Sequence, residues 1–226
     1  KYIKFSGVLF IFGWQLARFV LSEKRIEALI PLAVVAGSGV YLFSLNLLSY
    51  FIGIKTNFYL LLAVFAPLSC FLFLVNRKKG RAEWGISKKW RIILFGTCFL
   101  IMISVGITGL RYIGSVETTS THLLLASLIS EGNFPVMEEA APNFSSQYHY
   151  GYSLFLAAVS KITSLPIWFS HDFHNFIFIG VIFLLGFILI KDFCKDNFNA
   201  YLASLIMVLG GNLNFLYGTK GLSVLF

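Results

Sequence analysis

The chain has 226 residues, of which 58% are hydrophobic and only 12% are charged. A soluble globular protein carries about 25% charged residues. This chain has too few polar side chains to cover a water-facing surface, so its composition predicts an integral membrane protein. The formal net charge of +8 fits the Lys/Arg excess of cytoplasmic membrane-protein loops. Nucleic-acid binding would need a basic patch on a folded soluble surface, and no segment is long enough to build one.

Seven apolar segments have the length of membrane-spanning helices. A span needs about 20 apolar residues because the hydrocarbon core is about 30 Å thick, and an open sheet would leave backbone groups unpaired in lipid. The sequence therefore predicts an all-α, polytopic bundle of about seven spans. In chain order, the segments are 5–22, 28–54, 58–75, 92–110, 148–166, 174–190 and 198–217.

Small residues mark the second segment as a site of close helix packing. Gly37 and Gly39, with Ser38 and Ser44, would let a neighbouring backbone approach. This is a structural prediction with no functional content.

The segment after the third span fixes the predicted orientation. Residues 76–91, NRKKGRAEWGISKKWR, carry seven Lys or Arg and should be cytoplasmic. Alternation of the spans then gives each other connection a side. Segments 23–27 and 167–173 would lie inside, and 55–57, 111–147 and 191–197 outside.

The outer loop at 111–147 is polar between two apolar segments, and it should be ordered. Residues 119–131 predict a short interfacial helix, too short to span. Gly132-Asn133 would end the helix, Phe134-Pro135 would force an extended exit, and Pro142-Asn143 would make a second turn before a folded-back strand. The helix should present one apolar face, made of Leu124, Leu125, Leu128 and Ile129.

Glu117 is the preferred catalytic candidate because it lies just beyond the fourth span, where a rigid helix could position it. A carboxylate there can act as a general base or hold a divalent cation; the alternative is a solvated loop glutamate. Glu138 and Glu139 are better explained as solvated charges. His122, one step off the apolar face, is a candidate hydrogen-bond donor and has no nearby partner for ligating a metal.

Aromatic and imidazole groups open the fifth segment. Tyr148, His149 and Tyr150 would suit a sugar, by stacking, or a lipid phosphate, by hydrogen bonding; Tyr at a membrane boundary is also a common interface anchor. Further along, His171, Asp172 and His174 have the spacing of a partial metal site, and interface residues are the competing interpretation.

Three short motifs resemble those of the GT-C class of integral-membrane glycosyltransferases, which includes the protein O-mannosyltransferases. They are Gly132-Asn133-Phe134-Pro135, Tyr148-His149-Tyr150-Gly151 and Gly211-Asn212-Leu213. Within that class the chain is similar to an uncharacterised group with a Tyr-Tyr-Tyr-Phe-Gly-like motif. The resemblance covers about 92–217, so 1–91 would be an N-terminal extension of three spans with the basic loop, and 92–226 a core of four spans.

The resemblance implies transfer of a sugar from a polyprenyl-phosphate donor on the outer face. It assigns Glu117 as base or metal ligand, with His122, Tyr148, His149 and Tyr150 positioning the donor. The usual residue at the first position is Asp, and 111–147 contain none. The extra methylene of Glu shifts the carboxylate by about 1 Å, which can cost roughly 100-fold in rate.

Two other functions compete with this one. A transporter or lipid flippase would favour ionisable residues in mid-membrane, and Arg18, with Gln15 nearby, is the only such residue near a segment interior. A non-catalytic scaffold would explain the absence of Asp. The expected partners are membrane lipids and a lipid-linked sugar donor, with no nucleic acid, in a prokaryotic plasma membrane. The chain begins with Lys and ends without an evident boundary, so we expect an N-terminal or internal piece of a longer protein.

Overall fold

The computed structural model describes residues 2–111, 123–138, 141–145 and 151–210. This part of the chain is mostly helical, with one short antiparallel ribbon. The helices are α1 (Tyr2–Val20), α2 (Ile26–Leu48), α3 (Ile54–Asn76), α4 (Lys88–Arg111), α5 (Leu123–Glu131), α6 (Gly151–Thr163), α7 (Ile167–Cys194) and α8 (Asn197–Gly210), the strands are β1 (Met137–Glu138) and β2 (Ala141–Ser145), and a 3₁₀ turn at Arg77–Lys79 follows α3.

Every predicted apolar segment contains a helix, which confirms the helical membrane class. In the described chain, three helical stretches are long and apolar enough to cross a membrane: Ile26–Leu48, Ile54–Lys79 and Ile167–Cys194. The count of seven spans is not confirmed. At about 1.5 Å per residue, the 13 residues of α6 extend only about 20 Å, short of the roughly 30 Å hydrocarbon core.

The chain groups into two compact units, each built from separate stretches of sequence. Unit 1 contains 1–23, 32–81 and 114–171, and unit 2 contains 24–31, 82–113 and 172–226. This grouping follows spatial contacts. The division predicted at 91/92 concerns the extent of the resemblance and stays a prediction.

Aromatic side chains from α1, α2 and α3 form the centre of unit 1. The rings of Phe12 and Phe65 stack with centroids 4.2 Å apart, and Phe5 meets Tyr41 edge to face at 5.6 Å. Tyr41 is fully buried, and its hydroxyl donates to the backbone oxygen of Phe58 at 3.2 Å. A buried phenol needs such a partner, so this bond fixes how α2 and α3 face each other.

Glycines allow the backbones of α1 and α2 to touch. A Cβ placed on Gly13 would overlap the backbone oxygen of Ala33, and one on Gly37 would overlap that of Leu9. The predicted role of Gly37 in close packing is confirmed, and Gly13 is the partner that the sequence pattern did not reveal. Among the described residues, no atom lies within 4 Å of the position that a Cβ on Gly39 would take, so its predicted role in close packing is not supported there.

The C-terminal end of α1 is held by the end of α3 and the turn after it. The Lys79 ammonium donates to the backbone oxygens of Phe19, at 2.9 Å, and Arg18, at 3.3 Å. These are terminal helix carbonyls, for which a lysine is a favourable partner. In return, the Arg18 guanidinium donates to the Gly80 oxygen at 2.5 Å, and buried Asn76 donates to the side-chain oxygen of Gln15 at 3.0 Å.

Helices α4, α7 and α8 pack side by side in unit 2. The hydroxyls of Thr97 and Tyr201 are 2.9 Å apart, and the Cys98 thiol approaches the Gly180 oxygen at 3.7 Å. A Cβ on Gly186 would overlap the terminal methyl of Met207. Small residues and polar pairs thus join these helices, as expected where lipid provides no hydrophobic force between them.

A buried carboxylate ties three separate stretches of unit 2 together. Glu27, at the start of α2, is 1% exposed and accepts a hydrogen bond from the backbone N–H of Gly85 at 3.0 Å. The Lys191 ammonium lies 3.8 Å from the other Glu27 oxygen and donates to the Gly85 oxygen at 3.1 Å. Beside them, the Arg25 guanidinium donates to both carboxylate oxygens of Asp192, at 2.5 and 2.9 Å.

These contacts contradict the predicted alternation of sides after α4. Segment 191–197 was predicted outside and the basic loop inside, yet Lys191 bonds directly to Gly85. In unit 1, Lys161 was predicted inside, yet its backbone oxygen accepts a hydrogen bond from the Tyr59 hydroxyl. Tyr59 lies near the start of α3, and it is the other end of α3 that was predicted inside. Both differences are accounted for if α6, of which 13 residues are described, does not cross the membrane.

Candidate functional site

The five predicted site residues lie outside the described part of the chain. They are Glu117, His122, Tyr148, His149 and Tyr150. The described residues that flank them are helix α5, the turn and ribbon after it, and the start of α6. His122 directly precedes α5, and Tyr150 directly precedes α6.

Helix α5 ends at Glu131 in a Schellman motif, as the Gly132-Asn133 pair predicted. The N–H of Gly132 donates to the Ile129 oxygen and the N–H of Asn133 to the Leu128 oxygen, both at 3.0 Å. Gly132 has φ +102°, a conformation that side chains disfavour. This glycine is therefore required by the backbone.

The buried face of α5 differs from the predicted one. Ala126 and Ile129 are fully buried, whereas Leu124 is 49% exposed. The helix packs against α6, which a small residue at 126 allows to come close. The prediction placed the leucines on the buried face because they are more hydrophobic than alanine. Close packing of a second helix instead favours a small side chain at the contact.

The turn after α5 lies against the connection between α2 and α3. The Phe134 ring meets the Tyr50 ring edge to face with centroids 5.4 Å apart. The Lys55 side chain crosses Gly132, so that a Cβ there would lie 2.9 Å from Cε and 3.3 Å from the ammonium nitrogen. Residues 55–57 and 111–147 were both predicted outside, and their contact is compatible with that prediction, which stays a prediction.

Asn57 makes the α2–α3 connection a rigid support. It is fully buried, and its amide donates to the Ser49 hydroxyl at 3.2 Å and to the Ile52 oxygen at 3.0 Å. Sequence reasoning missed Tyr50 and Lys55 as neighbours of the turn after α5. The available signal was a single cation in a very short connection between two apolar segments.

The stretch after Pro135 folds back as predicted, with the reversal in a different place. Strands β1 and β2 are antiparallel, pairing Met137 with Ser145 and Glu138 with Ala141. Pro142 and Asn143 lie inside β2, so the prediction of a turn there was wrong. A two-stranded ribbon has open edges, and an edge strand tolerates the missing N–H of proline.

The histidines near the start of α7 are held by aromatic rings. The His171 ring meets the Tyr152 ring with centroids 5.7 Å apart, and the Tyr152 hydroxyl donates to the His171 oxygen at 3.4 Å. His174 is 4% exposed and lies 6.2 Å from the Phe178 ring. The side chain of Asp172 lies outside the described residues. Among the side chains that are described, no three metal-ligating groups come together.

Lys55, in the first turn of α3, thus places a cation beside the Gly132–Pro135 motif. Its side chain is exposed, and an ammonium at this position can pair with a phosphate. No protein-family model, curated protein or solved structure matches the chain, so membership of the GT-C class stays a prediction.

Proposed function

We propose that the protein is an integral-membrane glycosyltransferase that takes a sugar from a polyprenyl-phosphate donor on the outer face. The observation that carries the proposal is the position of Lys55. Its ammonium lies beside Gly132, a residue of the motif that resembles the GT-C class. The ammonium supplies the positive charge that a donor phosphate needs.

In the proposed reaction, the Glu117 carboxylate accepts the proton of an acceptor hydroxyl. The acceptor oxygen then bonds to the anomeric carbon of the sugar, and the bond from that carbon to the phosphate oxygen breaks. Polyprenyl phosphate leaves with the bonding electron pair. Lys55 stabilises the negative charge that develops on the leaving phosphate, which is a form of electrostatic catalysis.

His122, Tyr148, His149 and Tyr150 hold the donor in this proposal. Tyr rings stack on the sugar face, and imidazole and phenol groups donate hydrogen bonds to the phosphate. Glu117 can alternatively hold a divalent cation, which would neutralise the same phosphate.

Two contacts in unit 1 favour this proposal over a transporter. The Arg18 guanidinium donates to the backbone oxygen of Gly80, which follows α3 and its 3₁₀ turn. The Gln15 side chain accepts a hydrogen bond from the Asn76 amide. Mid-membrane polar groups on a translocation path must face a water-filled cavity. Here the two that the sequence suggested are used to join α1 to the end of α3.

The first test replaces Glu117 and measures sugar transfer in membranes supplied with radiolabelled polyprenyl-phosphate mannose or glucose. Glu117→Gln should lower transfer by at least about 100-fold, the usual contribution of a general base. Glu117→Asp, which restores the usual residue of the class, should retain transfer. Glu131→Gln, at the exposed end of α5, is the matched control. Transfer at the native rate by Glu117→Gln would eliminate the base role.

The second test concerns the phosphate contact. Lys55→Gln should raise KM for the donor about tenfold, the effect of losing roughly 1.4 kcal/mol of charge-assisted hydrogen bonding, and Lys55→Arg should restore it. Lys4→Gln, an exposed lysine in the first turns of α1, controls for the loss of one charge. An unchanged KM in Lys55→Gln would remove Lys55 from the site.

A further inference from the structure

The basic loop separates into cations that hold the protein together and cations that do not. Lys79 donates to the carbonyls that end α1. Arg91 lies over the Trp84 ring, with its guanidinium carbon 5.0 Å from the centroid. Such a contact is a favourable cation–π pair. These two of the seven positive side chains therefore have structural roles.

The other five are exposed to solvent, and among the described residues they form no hydrogen bond or ion pair. Three belong to unit 1 and two to unit 2. Within 76–91 the only acidic residue is Glu83, so the local charge is strongly positive. The five are Arg77, Lys78 and Arg81 in unit 1, and Lys88 and Lys89 in unit 2.

The basic loop between α3 and α4 is short and is anchored by backbone hydrogen bonds. Arg77 directly follows α3, within the apolar stretch that is long enough to span, and α4 begins at Lys88. In unit 2 the backbone of Glu83 pairs with that of Lys24 and Ile26 through two hydrogen bonds of 2.9 Å. With the span in a bilayer, the five cations therefore stay at the level of the lipid headgroups.

We propose that Arg77, Lys78 and Arg81, and separately Lys88 and Lys89, bind the phosphates of anionic lipid headgroups. A basic cluster next to a span attracts anionic lipid because each Lys or Arg near the surface adds a favourable term. Orientation during insertion requires only positive charge. Lipid binding requires in addition that the cations stay exposed after folding, and these five have no side-chain partner among the described residues.

Trp84 is a natural reporter, since it lies in the loop and is 39% exposed. A variant in which Trp14, Trp90 and Trp168 are changed to Phe leaves it as the only tryptophan. The protein is reconstituted in vesicles of brominated phosphatidylglycerol mixed with ordinary phosphatidylcholine, and in the reverse mixture. Brominated phosphatidylglycerol should be enriched around Trp84 by at least about fivefold, the contribution of a single cation near an anionic surface.

The enrichment should disappear at about 1 M NaCl, where the screening length is roughly 3 Å. It should also disappear when all five cations are changed to Gln, and persist when Lys78, Lys88 and Lys89 are changed to Arg. The two-residue variant Lys4→Gln, Lys161→Gln is the control and should keep the enrichment.

Equal quenching by the two brominated lipids in the Trp84-only protein would overturn the proposal, and so would enrichment that survives high salt. These two measurements use no charge variant, so they decide the question even where the five-residue variant fails to insert. Displacement of the lipid by inorganic phosphate at constant ionic strength would also contradict it, since it would mean a site for the free anion.

Discussion

At the residue scale, Gly37 shows how one missing side chain determines helix packing. Its Cα lies so close to the Leu9 carbonyl that a methyl group has no room, and the obstacle is backbone, which cannot rotate away. The glycine costs helix propensity, and close backbone contact offsets that cost.

We predict that Gly37→Ala lowers the unfolding free energy of the protein in detergent by about 2 kcal/mol, within the usual range for overpacking. Gly39→Ala is the matched control because the space around Gly39 is open. It should be neutral or stabilising by up to about 1 kcal/mol. Thermal unfolding of both variants checks this, and equal stability of the two would show that α1 and α2 do not meet at Gly37.

Glu27 carries a second prediction at the residue scale. Its side chain is 2% exposed and that of Lys191 is 17% exposed, so removal of the carboxylate leaves a cation in a site with little water. Glu27→Ala should therefore cost about 3 kcal/mol of stability, the effect of breaking a buried pair.

The neighbouring pair of Arg25 and Asp192 provides the control. Their side chains are 33% and 46% exposed, and such pairs contribute less than about 1 kcal/mol. Asp192→Asn should accordingly be milder than Glu27→Ala in the same chemical-denaturation measurement. The reverse order would mean that Glu27 is solvated and that the contact with Gly85 is absent.

At the element scale, helix ends are where sequence patterns succeed or fail. Gly132 could be predicted as the end of α5 because a glycine after an amphipathic run favours a left-handed cap. The ends of α1, α6 and α7 could not be predicted from the sequence. They are marked by Ser22, Ser164 and Lys195, all with positive φ, and a non-glycine residue in that conformation leaves no recognisable pattern.

Helix α6 shows the consequence for span prediction. The apolar run 148–166 has the length of a span, but the helix stops at Thr163. The Thr163 hydroxyl accepts from the Leu165 N–H at 3.3 Å, and the Ser160 hydroxyl donates to the Leu165 oxygen at 2.6 Å. Side-chain bonds of this kind compete with the helix, and hydropathy does not register them.

The Gly132 turn yields a prediction at this scale. Gly132→Ala combines an unfavourable φ with the Lys55 side chain 2.9 Å away, so we expect a loss of about 1–2 kcal/mol in unfolding free energy. Donor KM should rise as well, because Lys55 must move. Gly96→Ala, in α4 where no described atom lies within 4 Å of a Cβ, should leave donor KM unchanged and should not lower stability. A native donor KM in Gly132→Ala would separate Lys55 from the motif.

At the scale of the whole molecule, composition was enough to predict a helical membrane protein, and the order of elements around α5 followed from short signals. The predicted sides of the connections as far as α4 stay a prediction, since only three helical stretches of the described chain are long and apolar enough to span. After α4, the hydrogen bond from Lys191 to Gly85 does not fit the predicted alternation, because one wrongly counted span changes the side of every later connection. The contacts of Glu27 with Gly85 and Lys191 could not be predicted, since they join three stretches of the chain that only folding brings together.

Thiol labelling tests the central claim, that the loop after α4 faces outward while the basic loop and the α7–α8 turn share the other face. Cys70, Cys98 and Cys194 are first changed to Ser, and single cysteines are placed at exposed Asn133, Lys88 and Lys195. A membrane-impermeant maleimide should label Asn133→Cys in intact cells, and Lys88→Cys and Lys195→Cys only after permeabilisation. Labelling of Asn133→Cys and Lys88→Cys from the same side, or of Lys88→Cys and Lys195→Cys from opposite sides, would contradict the account.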